Sequence, residues 1–316
     1  MKKLRVATLG TPADYSQSLI PIIIRDLGYD ILWTSQSDAE LIIYGPFYKK
    51  EKEYRYIPKP LRLIAGKLAT HITSKKRLKS FEQVSLFQTA ENKRYDFIET
   101  DYSLSFDLTD NSNHFRFPYW MELVDWSKEG IIGNVNSRFG RLLSISKMMQ
   151  PLGKHFLERP MKAALITSHL GEPRKTLYTA LSKIIPVDGY GPHFNEHIKD
   201  HHRSGFEKFK ILQNYAFNLC PENSSYPGYY TEKIPEAFLS GCLPLAYANP
   251  NIAIDFNPSA MINLEPMAWN FFERLGELLH SKSQLLCFAE QPLLLREPSI
   301  EPLKIFINKI VKQASS

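Results

Sequence analysis

Cysteine is scarce in this chain of 316 residues, and the three present, Cys220, Cys242 and Cys287, are odd in number with no CxxC spacing. A disulfide framework and a cysteine-based zinc site are therefore disfavoured, and a reducing compartment fits best. Long hydrophobic runs are missing as well: no segment approaches the roughly 18 consecutive apolar residues needed to cross a bilayer. The apolar part of the N-terminal stretch stops at Gly10 and Asp14 follows, so it reads as a first strand rather than a signal peptide. The patterns GxxxxGK(S/T), HExxH and GxSxG are absent, which removes the P-loop, the helical zinc-protease site and the nucleophile elbow from consideration.

What is present is the composition of a globular protein, 43% hydrophobic and 23% charged, with enough chain for two domains and two cores. Cys220 and Cys242 sit inside apolar runs and read as inert core thiols. Charge is uneven. Residues 49–80 hold eleven Lys and Arg against two Glu, a net of +9, whereas the whole chain is +6. Within that segment Pro58 and Pro60 precede Leu61, Leu63, Ile64, Leu68 and Ile72 at near-helical spacing, which predicts a loop and then a basic amphipathic helix. Three readings stay open for it: a solvated insertion, contact with anionic lipid or a lipid-linked phosphorylated glycan, and nucleic-acid binding, for which no accompanying motif is found.

Apolar runs and turn residues predict strands over 4–9, 29–34, 40–44, 84–89 and 102–106, with helices over 15–27 and 137–150. A second cycle starts with a strand over 161–168 and a helix over 174–184. A strand over 215–220, a helix ending near Gly241 and a strand over 243–247 follow. Strands alternating with helices imply parallel sheets with right-handed crossovers, here in two cycles that break near 157–160. The expected fold class is α/β, with two doubly wound Rossmann-type domains facing a cleft. His197, His201 and His202 lie in a polar stretch with Asp200 and suit a hydrated loop better than a metal site.

The most informative stretch runs from Phe217-Asn218-Leu219-Cys220-Pro221 through Glu222-Asn223-Ser224-Ser225 to Gly228-Tyr229-Tyr230-Thr231-Glu232-Lys233. A buried strand, a polar Gly/Pro turn and a helix start give the layout of an anion site. Unpaired N–H groups and the helix dipole favour a phosphate there, and Lys233 adds charge. Asn223-Ser224-Ser225 is formally a glycosylation sequon, discounted because it falls inside this turn.

This run resembles the signature of the α1,3/α1,4-fucosyltransferases, glycosyltransferase family ten, of bacterial type. The resemblance continues through Gly241-Cys242-Leu243-Pro244-Leu245 to Asp255-Phe256-Asn257-Pro258, and recurs at Glu172-Pro173-Arg174 and Ala90-Glu91-Asn92. It implies a GT-B architecture with an acceptor-binding domain over 1–158, a donor-binding domain over 159–290 and a tail over 291–316 that packs back on the first domain. It implies inverting transfer of L-fucose from GDP-β-L-fucose to a glycan hydroxyl, with no cofactor and no essential divalent metal. No Asp-x-Asp of the metal-binding kind occurs. Animal members carry a membrane anchor and stem, which this sequence lacks, so a bacterial cytoplasmic enzyme is expected, peripheral on the inner membrane face if the basic segment docks there.

The resemblance also distributes roles. Arg174 and Lys233 are expected on the diphosphate, Asn223, Ser224 and Tyr229 beside the nucleotide and ribose, and Glu232 at ribose hydroxyls or facing the cationic transition state. Glu91 is the expected base, and Arg116 is expected to shape the acceptor cleft. Two positions depart from the family pattern: Pro221 replaces an aromatic residue, and Ala246-Tyr247-Ala248 replaces Tyr-Trp-Gly. Both lie beside the donor sugar, so another GDP-6-deoxy or dideoxy sugar, used for bacterial surface polysaccharide such as lipopolysaccharide O-antigen, stays open. So does a non-catalytic sugar-nucleotide or glycan-binding protein, against which the intact Glu91, Arg174, Glu232 and Lys233 speak.

Overall fold

A computed structural model describes residues 1–49, 83–131, 142–194, 205–265 and 271–316. The predicted basic segment, apart from Lys49, and His197, His201 and His202 lie outside the described residues.

The first half of the chain builds a six-stranded parallel sheet. Its elements are β1 (Lys2–Leu9), α1 (Leu19–Asp26), β2 (Tyr29–Trp33), β3 (Leu41–Tyr44), β4 (Val84–Gln88), β5 (Tyr102–Ser105) and β6 (His114–Arg116), in the order β2-β1-β3-β4-β5-β6. Central strands such as β3, Leu-Ile-Ile-Tyr, are buried on both faces, which is why they read as continuous apolar runs. Two short helices follow, α2 (Tyr119–Glu122) and α3 (Ile145–Met148).

The second half builds a five-stranded parallel sheet in the order β11-β10-β9-β7-β8. Its elements in chain order are β7 (Ala163–Ile166), α4 (Arg174–Leu181), β8 (Val187–Tyr190), α5 (Gly205–Leu212), β9 (Phe217–Pro221), α6 (Lys233–Leu239), β10 (Leu243–Tyr247) and β11 (Ile262–Asn263). Helices α7 (Phe271–His280), α8 (Lys282–Ala289) and α9 (Glu301–Ala314) close the chain. Leu303, Ile307, Ile310 and Val311 of α9 join the apolar cluster of Leu4, Ile20 and Leu86, and Lys304 reaches Asp26 at 3.1 Å, so the C-terminal helix packs on the first sheet. The same cluster takes in Tyr230, Ile234 and Phe238 from the second half, so one apolar core spans both sheets.

Three sequence expectations change. The helix over 15–27 divides into a 3-10 turn, Tyr15–Gln17, and α1, with an extended Ser18 between them. Pro21 is the reason: its ring would clash with the carbonyl four residues back and it has no N–H to donate, so the helix starts just before it. The freed N–H of Leu19 is taken by Glu122 Oε1 of α2 at 2.8 Å. The helix over 137–150 is helical only at Ile145–Met148 among the described residues. The helix expected to carry Thr231 and Glu232 in its first turn begins at Lys233, with Glu232 as its N-cap residue.

Candidate active site

Parallel strands expose a crevice beyond their C-terminal ends, and the candidate site lies there in both sheets. Strand β9 is buried along its length and delivers Glu222, whose N–H donates to the carbonyl of Tyr247 on the neighbouring strand's end at 3.0 Å. Glu222 is 0% exposed. Its carboxylate accepts the Thr231 N–H at 2.7 Å, the Thr231 hydroxyl at 2.8 and 3.0 Å, and the Lys233 ammonium at 3.1 Å. The protein's own carboxylate thus sits in the turn just ahead of α6 and meets the Lys233 side chain there. Lys233 remains in the cavity wall, but its charge is shared. Burial opposes that charge, and Glu222 and Glu232 outweigh burial, holding the ammonium above its ordinary range.

Arg174, the first residue of α4, is only 4% exposed. One guanidinium nitrogen stands 2.9 Å from the His169 ring and the other donates to Asn223 Oδ1. Desolvation and the positive charges of Arg174, His193 and Lys233 push the His169 pKa down, so its imidazole stays neutral and can accept from Arg174. On α5, Lys208 is ion-paired with Glu236 of α6 and lies 4.0 Å from Glu232. Burial alone would raise the Glu232 carboxyl, but Lys233 and Lys208 overcome it and hold it below its ordinary range. Arg174, Lys208 and Lys233 thus bring three cations to the site, with Glu222, Glu232 and Glu236 as their neighbouring carboxylates.

These groups face a cavity of about 430 Å³ lined by Arg174, Asn223, Tyr229, Glu232 and Lys233 from the second half and by Ala90, Glu91 and Tyr119 from the first. A second cavity of about 90 Å³ adjoins it, walled by Tyr15, Phe47, Gln88, Tyr119 and Glu122, and Glu91 borders this one too. Glu91 follows the end of β4 in a turn closed by Thr89, whose Oγ1 accepts the Glu91 N–H at 3.0 Å. Its carboxylate makes no hydrogen bond among the described residues. The Tyr229 hydroxyl pKa is raised, chiefly by burial, with the Glu222, Glu91 and Glu232 charges adding to it.

Two expected site residues stand elsewhere. The Ser224 hydroxyl is turned away from the larger cavity onto Asn92 Nδ2. Arg116 lines neither cavity: it ends β6, and its guanidinium is taken by Asp255 and the Gly228 carbonyl. Sequence reasoning also passed over Glu222, His169 and Lys208 as site residues. Glu222 had a signal, a lone carboxylate directly after a buried strand, whereas His169 and Lys208 had none beyond their types. Among the described residues no three His, Cys, Asp or Glu side chains gather into a metal-binding set, and no helix is long and apolar enough to cross a membrane.

Residues 157–284 match the family model described as glycosyltransferase family 10 (fucosyltransferase) C-term. The alpha-(1,3)-fucosyltransferase FucT of Helicobacter pylori is 28% identical over 246 residues, which are 70% of this chain and 50% of that protein. The chain thus spans about half the length of the curated relative it matches. A crystal structure of an alpha1,3-fucosyltransferase superposes with a TM-score of 0.68 at 21% identity, covering 98% of this chain and 90% of that one. An alpha1,3-fucosyltransferase structure with GDP-fucose gives 0.68 at 19% identity over 99% and 91%, and one with GDP gives 0.66 at 20% over 98% and 91%. At such identities the likeness establishes a shared fold, the GT-B-like α/β arrangement of two parallel sheets. The matched residues 157–284 hold β7 to β11, Arg174 and the segment from Glu222 to Lys233, so the likeness to glycosyltransferase family 10 falls on the part of the chain that builds the second sheet and its side of the cavity.

Proposed function

We propose that this protein transfers L-fucose from GDP-β-L-fucose to a hydroxyl of a glycan acceptor, with inversion and α1,3/α1,4-type linkage. The observation that carries the reading is Glu91, a carboxylate free of hydrogen bonds among the described residues, at the join of a cation-lined cavity and a smaller one. In this reading residues 159–290 take the donor. Arg174 and Lys233 meet the diphosphate, while Asn223 and Tyr229 border the nucleotide and ribose. Residues 1–158, with 291–316 packed on them, take the acceptor, whose hydroxyl approaches from the side of Gln88 and Glu122.

Glu91 accepts the proton of that hydroxyl as its oxygen bonds to the anomeric carbon. The bond from that carbon to the β-phosphate oxygen breaks, and the electron pair leaves with GDP. Glu232 faces the cationic sugar or its ribose neighbour. No divalent metal is needed, so chelator should leave donor binding unchanged. Pro221 lines the larger cavity where the family pattern has an aromatic side chain, which supports a second reading with another GDP-deoxy sugar. The related proposals of a lipid-linked or O-antigen acceptor and of an anionic membrane contact rest on the charge of residues 49–80 alone.

A thermal-shift panel of GDP-sugars, followed by transfer to lacto-N-biose, N-acetyllactosamine and O-antigen fragments, tests the reading. GDP-fucose should stabilise the protein most and support transfer. Stabilisation by GDP-sugars with no GDP release on any acceptor would favour a binding protein instead.

A further inference from the structure

The turn that closes the larger cavity belongs by sequence to the second sheet but is seated on the first. Gly228 has φ +82°, and a Cβ there would lie 2.5 Å from the Phe106 carbonyl oxygen, so the turn is pressed against the end of β5. Both of its polar backbone groups are held. The Gly228 N–H donates to Asn251 Oδ1 at 3.2 Å, and the Gly228 carbonyl accepts from Arg116 Nη2 at 3.2 Å. The same guanidinium forks onto Asp255 at 2.9 and 2.7 Å, next to the 3-10 turn Pro250–Ile254 that carries Asn251. The next residue, Tyr229, stands edge-on to Phe106 with ring centroids 4.9 Å apart and lines the cavity. Beside it Arg94 lies over the Tyr226 ring at 3.8 Å.

Glu91 hangs from the same sheet. Strands β4 and β5 are paired through Gln88 and Leu104, and the Thr89 N–H donates to the Leu104 carbonyl at 3.1 Å. We infer that Arg116, with Asp255, is a positioning residue: its fork fixes the Gly228–Tyr229 turn of the donor wall at a set distance from Glu91, coupling the two sheets across the site. The kinetic part of this inference rests on the proposed transfer reaction; the geometric part does not. Lysine keeps the charge facing Asp255 but lacks the planar fork needed to hold the carboxylate and the Gly228 carbonyl together.

The test uses Arg116→Lys and Asp255→Asn in the full chain, singly and together. Turnover should fall about 10- to 100-fold, the scale of a misplacement of about 1 Å, with the acceptor KM within about threefold and the melting temperature within a few degrees. The double variant should be no slower than the slower single one. Hydrogen exchange at the amides of residues 226–231 should quicken in both single variants while β1 stays protected. A bridge that only supports the fold would lower the melting point and leave turnover per folded molecule unchanged, and that result, or unchanged exchange, overturns the inference. A wild type inert toward GDP-fucose defeats the transfer reading alone, because the exchange arm still decides the positioning role.

Discussion

Replacing Glu222 by Gln is the sharpest probe of the site. The substitution keeps an oxygen for the Thr231 N–H but removes the charge that faces Lys233 at 3.1 Å. Deleting one partner of a buried ion pair costs about 3–5 kcal/mol; since the Lys233 side chain retains 20% exposure, water screens part of that, and about 2–3 kcal/mol is expected. At about 2–4 °C per kcal/mol, the melting temperature without ligand should drop by about 5–10 °C. Binding should move in the opposite direction. On the proposed reading, Lys233 would divide its charge between Glu222 and a bound diphosphate in the wild type, and in the variant the diphosphate would have it alone. A tenfold gain in affinity is about 1.4 kcal/mol, so at saturating GDP the ligand-induced rise in melting temperature should grow by several degrees. Lys233→Met should also melt early but show a smaller rise with GDP. Thermal melts of both variants with and without GDP decide the matter. An unshifted melting point for Glu222→Gln, or a GDP response reduced as much as in Lys233→Met, would refute the account of Glu222 as the buried anion that shares the Lys233 charge.

Other perturbations test the remaining parts. Glu91→Gln cannot accept the proton, so turnover should fall by about 10²–10⁴ with GDP affinity barely changed; titration calorimetry and initial rates separate the two, and half of wild-type turnover would exclude Glu91 as the base. Arg174→Ala should weaken GDP binding by about 1.5–3 kcal/mol, the range for a charge-assisted hydrogen bond, and unchanged calorimetric affinity would remove it from the site. His169 has a folded pKa below its ordinary 6.5, so the unfolded chain takes up the proton first as pH falls. Its contribution is complete above about pH 6.5 and is lost below it. His114 acts with the same sign, so His169→Gln should make denaturant stability fall less steeply between pH 7 and 5, and an identical slope would show that His169 does not titrate in this way.

What the sequence alone determined is local. Strand β10 has the predicted bounds, and β9 is displaced by only two residues at its start and one at its end, because a continuous apolar run between turn residues needs only its own composition to be read. Gly241, with φ +74°, ends the α6 region as predicted, for the same local reason. The short strands β6, β8 and β11 escaped notice. β8 reads Val-Asp-Gly-Tyr, and it is extended because β7 supplies its hydrogen bonds, not because of its own propensities.

The residues of the site were legible as types, Arg174, Lys233, Glu232 and Glu91 among them. Their partners were not: Asn223 meets Arg174, Asp255 meets Arg116 and Glu122 meets the start of α1 across long stretches of sequence, and Glu222 meets Lys233 only because the intervening turn folds back. Charge and hydrogen-bonding capacity are written in the chain, but which carboxylate meets which cation depends on how the ends of two sheets come together. Tertiary structure therefore decided that Glu222 meets Lys233 just ahead of α6, that Arg116 clasps Asp255, and that Glu91 stands where two cavities meet.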